Sequence, residues 1–329
     1  MKLNEIITEA YFKDEDLPEQ IPTILINGKI CAYPSNFICI NGLPKSYKTT
    51  FAWFFIQSFI TGNEVFKIKV NKEPNDKICL IDTEQSIYDF TRQSKNFKRA
   101  LKVTKMPYNF SAFLFRKYEP DTIIKAITEI VATDKPKIII IDNLTELVNN
   151  PNDMIESKSV ISWLKKLSAE NNIVIICLLH NAKSTMASIG NLGSYADRGA
   201  QTSVTVKHDK DAGTTTMEAT LMRSDKYFTP ITIKFDEDLK TFIEVETEIK
   251  EKSNSRKFVL MNITEQEHKD KLKIIFIKTK EMAYSEVIAE ITKMYGVGLN
   301  ISKQQILPYL RGNEFITADN GLYTINKNK

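Results

Sequence analysis

Phe37-Ile38-Cys39-Ile40-Asn41-Gly42-Leu43-Pro44-Lys45-Ser46-Tyr47-Lys48-Thr49-Thr50 is the stretch from which the rest of the chain is read. An apolar run ends at a glycine. A tight polar loop follows, then a lysine and two hydroxyl residues open the helix-like Phe51-Ala52-Trp53-Phe54-Phe55-Ile56. This is a strand, a loop and a helix start. In the pattern G-x-x-x-x-G-K-[ST] the loop amides and the helix N-terminus surround phosphate oxygens. The lysine neutralises the β and γ phosphates, and the hydroxyl ligates Mg2+. Gly42, Lys48 and Thr49 stand where that pattern requires them. Tyr47 replaces the second glycine, and a side chain there is expected to crowd the loop and strain its backbone. An ordinary strand–turn–helix with a surface lysine competes with this reading, so other stretches must decide.

Three neighbouring stretches do. Ile78 to Asp82 is an apolar strand that runs into Thr83 and Glu84. Lys137-Ile138-Ile139-Ile140-Ile141-Asp142 is a continuous β-branched run, polar only at its end, as suits a parallel strand covered on both faces. Asn172 to Leu179 is a third such run and ends at His180. Helical spacing fills the gaps: Ser86 to Val103, Thr122 to Ala132 and Met154 to Glu170. Strands that alternate with helices imply βαβ units, where polar residues at the carboxyl ends of strands gather around a ligand. Glu84, Asp142 and His180 all hold such ends.

Each of these residues has a bland reading as well. Asp142 suits a Mg2+ carboxylate at a strand end, held directly or through water; a carboxylate there can also simply cap the next turn. Glu84 can orient and deprotonate an attacking water. Asp82 competes for that role from two residues earlier, on the same strand face but deeper, and Glu84 is preferred. His180 can sense a γ-phosphate by hydrogen bonding, although a lone histidine is more often structural. His208 and His268 lack such a context and read as surface residues. Arg223 and Lys226 end a long strand, from which a cation can reach a phosphate in a neighbouring subunit; the competing reading is a solvated hairpin tip. Lys183 and Arg198 lie in a Ser/Gly/Asn-rich stretch, Asn181 to Gln201, that reads as a mobile loop able to track a nucleic-acid backbone.

Outside the core, Met1 to Gln20 reads as an arm or short helix, and Asn27-Gly28 marks a hairpin. Thr202 to Glu246 alternates as antiparallel hairpins do. A charged linker follows, and then three helices and a hairpin in winged-helix order. Lys271 to Lys278 is the first helix and Ser285 to Tyr295 the second, capped by Gly296. Ser302 and Gln305 are a capping pair for the third, inside which Pro308 should force a kink or an end. The 329 residues carry a net charge of +4, with 42% apolar and 26% charged residues, which bounds the class to a soluble globular protein that permits but does not demand a polyanion partner. Cys31, Cys39, Cys79 and Cys177 are far apart with no C-x-x-C, which points to buried reduced thiols in a cytoplasmic protein rather than zinc or disulfides. No apolar run reaches the roughly 20 residues that span a bilayer.

With these residues in place the chain resembles a RecA-fold ATPase, and within that superfamily it is similar to the RepA-type hexameric replicative helicases of plasmids and mobile elements. The residues that carry the resemblance are Gly42 to Thr49, Asp82-Thr83-Glu84, Ile141-Asp142, Leu179 to Lys183, Arg198-Gly199 and Met222-Arg223 to Phe235-Asp236, over roughly Ile21 to Glu246. The resemblance implies an α/β fold: a RecA-like P-loop core with a mainly parallel central sheet extended by antiparallel hairpins. A small C-terminal winged-helix-like domain completes it, argued from pattern alone. The expected organisation is an arm (1–20), an ATPase domain (21–248), a linker (249–257) and the winged unit (258–329). ATP and Mg2+ are the expected cofactors. Gly42, Pro44, Lys45, Ser46, Tyr47, Lys48, Thr49 and Thr50 are the nucleotide-binding positions, and Thr49 and Asp142 the metal ligands. Glu84 is implied as the catalytic carboxylate, and His180 as the sensor of the γ-phosphate. Arg223 and Lys226 lie near positions that act in trans, and Lys183 and Arg198 near the DNA-facing segment. Tyr47 departs from the pattern and bears on nucleotide affinity and turnover.

Two functions follow as expectations. One is a ring-forming homo-oligomer, a hexamer by resemblance, that hydrolyses ATP to move on single-stranded DNA. The other is a nucleotide-switched DNA-bound adaptor with little hydrolysis, favoured by Tyr47 and the winged unit. A small-molecule kinase is weaker, because no acceptor site is visible.

Overall fold

The computed structural model describes residues 3–11, 20–181, 189–245, 263–277, 279–319 and 321–326. The chain divides into two compact units, Met1–Thr247 and Glu248–Lys329.

The first unit is built on a nine-stranded sheet. Its strands are β3 (Asn36–Gly42), β5 (Ile78–Asp82), β6 (Phe110–Leu114), β7 (Ile138–Asp142), β8 (Val174–His180), β9 (Thr202–Asp209), β10 (Thr214–Met222), β11 (Ile231–Asp236) and β12 (Thr241–Val245). Their spatial order is β12-β11-β10-β9-β3-β8-β7-β5-β6. The six strands from β9 to β6 are parallel, and β10, β11 and β12 add to that edge by antiparallel pairing. This is a mainly parallel sheet with antiparallel extensions. Every residue of β5 and β7 is buried, as strands covered on both faces must be. Alternation sends Ile38 and Ile40 to one apolar cluster and Phe37 and Cys39 to the other.

Helices cover both faces. On the first lie α2 (Lys48–Thr61) and α3 (Ile87–Leu101); on the second lie α4 (Pro120–Asp134), α5 (Met154–Asn171) and α6 (Gly190–Gly199). Helix α2 is apolar nearly all round, with Phe51, Phe54, Phe55, Ile56 and Phe59 buried, so it is held between the sheet and a second small sheet. That small sheet is β2-β1-β4, formed by β1 (Ile24–Ile26), β2 (Lys29–Ala32) and β4 (Ile68–Val70). The two-residue turn Asn27-Gly28 joins β1 to β2 with both residues at positive φ, as the dipeptide predicts. A short amphipathic helix, α1 (Leu3–Ala10), precedes them. No helix among the described residues is long and apolar enough to cross a membrane.

The stretch read as a loop from Asn181 to Gln201 is corrected in part: residues 190–199 form α6, which buries Leu192 and Ala196 under the sheet. Its glycines and asparagine hid a helix that tertiary packing stabilises. Residues 182–188, with Lys183, lie outside the described residues, as does the expected linker 249–257.

The second unit has its own apolar core. Its first helix, α7 (Glu265–Ile275), starts earlier than expected, because Thr264 and Glu267 form the capping box. Helix α8 (Tyr284–Tyr295) ends on Gly296 at φ 62, as expected. A third helical stretch runs through α9 (Leu299–Ile301), a wide π-type turn (Ser302–Ile306) and α10 (Leu307–Gly312). Ser302 is inside it rather than at its cap, bonded to the Gly298 carbonyl and, at 2.8 Å, to Thr292 Oγ1. Pro308 falls in the first turn of α10, where its missing N–H is harmless, and the wide turn precedes it. A three-stranded sheet, β13-β15-β14, follows the order of β13 (Glu281–Ala283), β14 (Ile316–Asp319) and β15 (Leu322–Ile325). His268, expected at the surface, is fully buried, and its Nδ1 lies 2.8 Å from the Tyr295 hydroxyl.

Candidate nucleotide site

The register of the parallel strands assembles the site. Gly42 lies opposite His180 across β3 and β8, and Asp82 lies opposite Asp142 across β5 and β7. The loop 43–47 leaves β3 here and turns into α2. Gly42 is required sterically: a Cβ would sit 2.5 Å from Ser46 Oγ and 2.7 Å from the Val206 carbonyl. Lys45 and Tyr47 both adopt the left-handed conformation, with Tyr47 at φ 67, ψ 26. The tyrosine that stands in place of the pattern's glycine thus holds a left-handed backbone that glycine adopts without strain.

Lys48 is buried, and its ammonium donates three bonds: to the Gly42 carbonyl at 3.0 Å, to the Leu43 carbonyl at 3.0 Å and to His180 Nδ1 at 3.2 Å. An ammonium has no lone pair, so His180 Nδ1 must accept, and Nε2 carries the ring proton. That proton is donated to Glu84 Oε1 at 2.8 Å. Asn143 Nδ2 donates to the same Oε1 at 3.0 Å. Both bonds converge on one oxygen, and Oε2 has no protein partner among the described residues. The bond from His180 holds the Glu84 carboxyl below its ordinary pKa, against the effect of burial, and Asn143 adds to it. Burial pulls the Lys48 ammonium below the usual lysine range, opposed by Asp142 and Glu84.

Asp82, the competitor for Glu84, is committed elsewhere. Its Oδ1 accepts from the amides of Glu84 at 3.0 Å and Gln85 at 2.8 Å, and its Oδ2 from Gln85 Nε2 at 2.6 Å. It is almost fully buried and shapes the turn that presents Glu84. Thr83 ties that turn to the next strand: its amide donates to the Asp142 carbonyl, and its hydroxyl accepts from the Asn143 amide at 2.8 Å.

The remaining polar pair is Thr49 Oγ1, which donates to Asp142 Oδ2 at 2.7 Å. Burial pushes the Asp142 carboxyl up to about 7; the Thr49 bond opposes this, and Asp82 and Glu84 add to it. These residues fit Mg2+ and a polyphosphate. A hydroxyl and a carboxylate are the hard oxygen donors such a cation takes, its other positions falling to phosphate and water. The buried Ser46 Oγ has no partner among the described residues, and the narrow Gly42 turn leaves its carbonyl and the Lys48 ammonium at the loop. No set of three or more His, Cys, Asp or Glu residues forms a metal cage among the described residues.

The structure therefore brings together Gly42, Ser46, Lys48, Thr49, Glu84, Asp142 and His180. Pro44 and Lys45 are exposed on the loop, and Thr50 continues α2 through a bond from its amide to the Tyr47 carbonyl. Arg223 and Lys226 are not in this group. Met222 pairs with Thr202, which pairs with Ile38 near the start of β3, so both residues lie toward the opposite end of the sheet from Gly42. Arg198 is there too: Arg223 Nη2 donates to its carbonyl, and neighbouring Gly199 packs on Phe37. Lys183 lies outside the described residues.

Two contributors escaped the sequence reading. Asn143 orients Glu84, and its place directly after a strand-end aspartate was the available signal. His208, expected at the surface, is half-buried with its ring 4.7 Å from that of Tyr47; only the antiparallel register brings it there.

A family of AAA domains matches residues 15–186. No curated protein matches the chain in sequence. Among solved structures, it is similar to a RadB recombinase at 16% identity and TM-score 0.45, over 65% of this chain and 92% of that one. It is also similar to the KaiC-like protein PH0186 from Pyrococcus horikoshii at 13% identity and TM-score 0.49, over 69% of this chain and 99% of that one.

Proposed function

The chain belongs to the AAA domain family of P-loop ATPases, and from that premise we propose that it binds ATP with Mg2+ and hydrolyses it as a ring-forming translocase or helicase on single-stranded DNA. The observation that carries this reading is the Glu84 carboxylate. Two donors fix Oε1, while Oε2 takes no bond from the described residues and the side chain is 38% exposed. A general base needs a held carboxylate with one oxygen turned to water.

Thr49 and Asp142 would hold Mg2+, which would supply neutralisation of phosphate charge. Lys48 binds the same phosphates and orients them. Glu84 takes the proton of the attacking water at Oε2. A phosphate oxygen that draws a Lys48 proton away from His180 Nδ1 changes the bond that His180 makes to Glu84. The occupancy of the loop and the poise of the base are thereby linked.

Among the described residues the loop itself carries two lysines, Lys48, which is buried, and Lys45, which is exposed. Arg223 and Lys226 lie toward the other end of the sheet, and that supports a role in trans, toward the site of a neighbouring protomer. Such heterologous contacts close into a ring or run on as a filament. Arg198, beside Arg223, shares that edge, and Lys183 remains the candidate DNA contact by resemblance to RepA-type helicases. The adaptor reading survives on Tyr47, whose strained loop position can lower turnover. ATP turnover measured with and without single-stranded DNA, beside a mass measurement, separates the two. A motor hydrolyses faster with DNA and assembles; a monomer with unstimulated, negligible turnover contradicts the motor and leaves the adaptor.

A further inference from the structure

Tyr47 poses a problem that phosphate chemistry does not answer. A non-glycine residue in the left-handed region is disfavoured, because its Cβ crowds the backbone. Yet the ring is not buried in the core, where hydrophobic packing would offset that cost: it is 42% exposed. Strained residues of this kind persist where a ligand is clamped.

The surroundings of the ring indicate which part of a ligand it meets. The β9–β10 pairing and the position of β12 bring two further rings against it. His208 lies 4.7 Å away, tilted by 56°, and Phe242 lies 6.2 Å away, edge-on. The imidazole is fixed by a 3.0 Å bond between His208 Nδ1 and Thr215 Oγ1. Phe242 is backed by Phe54 at 5.9 Å and Phe235 at 5.3 Å. His208 and Phe242 are half-buried, and Tyr47 and Phe235 are exposed. The result is a small aromatic surface that starts one residue from Lys48.

We propose that Tyr47, with His208 and Phe242 behind it, is the seat of the nucleobase, and that it favours the larger face of a purine. The proposal rests on the nucleotide reading of the site above. A planar base stacks on aromatic faces of either a phenol or an imidazole, and such stacking is sequence-tolerant but grows with ring area. A loop that gives up its glycine gains, in this account, a contact to the base that glycine cannot make. Polyphosphate alone would not use that contact.

The test compares two ligands on the full-length protein with Mg2+: ATP and inorganic tripolyphosphate, each titrated calorimetrically. In Tyr47→Gly the ratio of ATP to tripolyphosphate affinity should fall by about tenfold, within the range of base–aromatic stacking. In Tyr47→Phe it should be retained. In His208→Ala, which leaves the loop residue in place, it should fall by a smaller factor, and CTP should bind wild-type protein more weakly than ATP. If Tyr47→Gly and His208→Ala change both ligands by the same factor, the cluster is only a structural clip and the proposal is overturned. Wild-type protein that binds neither ligand overturns the nucleotide site itself. Wild-type protein that binds both, with ratios unmoved by the variants, overturns the base seat alone.

Discussion

The two flanks of the phosphate loop are built from different chemistry. Toward β8, β7 and β5 the groups are polar and bonded to one another, from buried Lys48, Asp142 and Asn143 out to the partly exposed Glu84: Lys48 to His180, His180 to Glu84, Asn143 to Glu84, Thr49 to Asp142. Toward β9 and β12 the neighbours are rings: Tyr47, His208 and Phe242, half-buried or exposed. On the first flank a parallel sheet brings strand ends side by side, so charged groups meet at fixed spacing. On the second an antiparallel hairpin folds back and supplies side chains from its faces. Charge placement needs the rigidity of the first; contact with a flat apolar group needs only the surface of the second.

The largest expected effect falls on the polar flank. Lys48→Ala should raise the Kd for ATP by about two orders of magnitude, because a buried cation that faces the phosphates is lost. Equal binding by calorimetry would remove the loop from the site. Gly42→Ala comes next, and it strikes the joint between the flanks. Its Cβ would meet Ser46 Oγ at 2.5 Å and the Val206 carbonyl at 2.7 Å. A forced shift of this kind costs about 1–3 kcal/mol, to be read in denaturant unfolding. A smaller effect isolates the aromatic flank. Tyr47→Gly should be more stable than Tyr47→Ala by about 1 kcal/mol, since both lose the ring and only glycine relieves the left-handed backbone. Identical unfolding midpoints for the two would show that the conformation is not strained.

The mildest prediction concerns the sheet beneath the polar flank. Cys39 and Cys177 face each other across β3 and β8, and Cys79 lies in β5, all fully buried. Burial pushes the Cys79 and Cys31 thiols up to about 12, and it raises those of Cys39 and Cys177 as well. The thiolate is the reactive form. Native protein at pH 8 should therefore leave a soluble disulfide reagent nearly unconsumed, and unfolded protein should consume four equivalents. Fast reaction of one thiol in the native state would show that the parallel core opens beneath the site.

Much of the polar flank was legible in the sequence, because a parallel strand announces itself as a buried run and its last residue is then a site position. Ile138 to Asp142 and Val174 to His180 are read in this way without any knowledge of contacts. The aromatic flank was not. His208 lies 161 residues from Tyr47 and Phe242 lies 195 away, and no local pattern carries a register across β9, β10 and β12. The helix at residues 190–199 was hidden for a related reason: three glycines argue against it locally, and only the burial of Leu192 and Ala196 argues for it. The capping box at Thr264 and Glu267 is a different case, because it stands in the sequence, but the buried apolar residues of its helix, Leu272 and Ile275, lie near the other end. Whether Arg223 faces a phosphate in the proposed assembly would depend on a second protomer, and no local pattern in one chain encodes it.

Glu84, held by His180 and Asn143, is the proposed base, and Asp82 shapes the turn that presents it. The most direct measurement is steady-state ATP turnover with Mg2+ in Glu84→Gln and Asp82→Asn, with ATP binding titrated in parallel. The account predicts that Glu84→Gln binds ATP like wild type but loses turnover by roughly 100- to 10,000-fold, whereas Asp82→Asn keeps measurable turnover in a less stable fold. Glu84→Gln protein that hydrolyses at the wild-type rate, with Asp82→Asn inactive, would contradict it and transfer the role to Asp82.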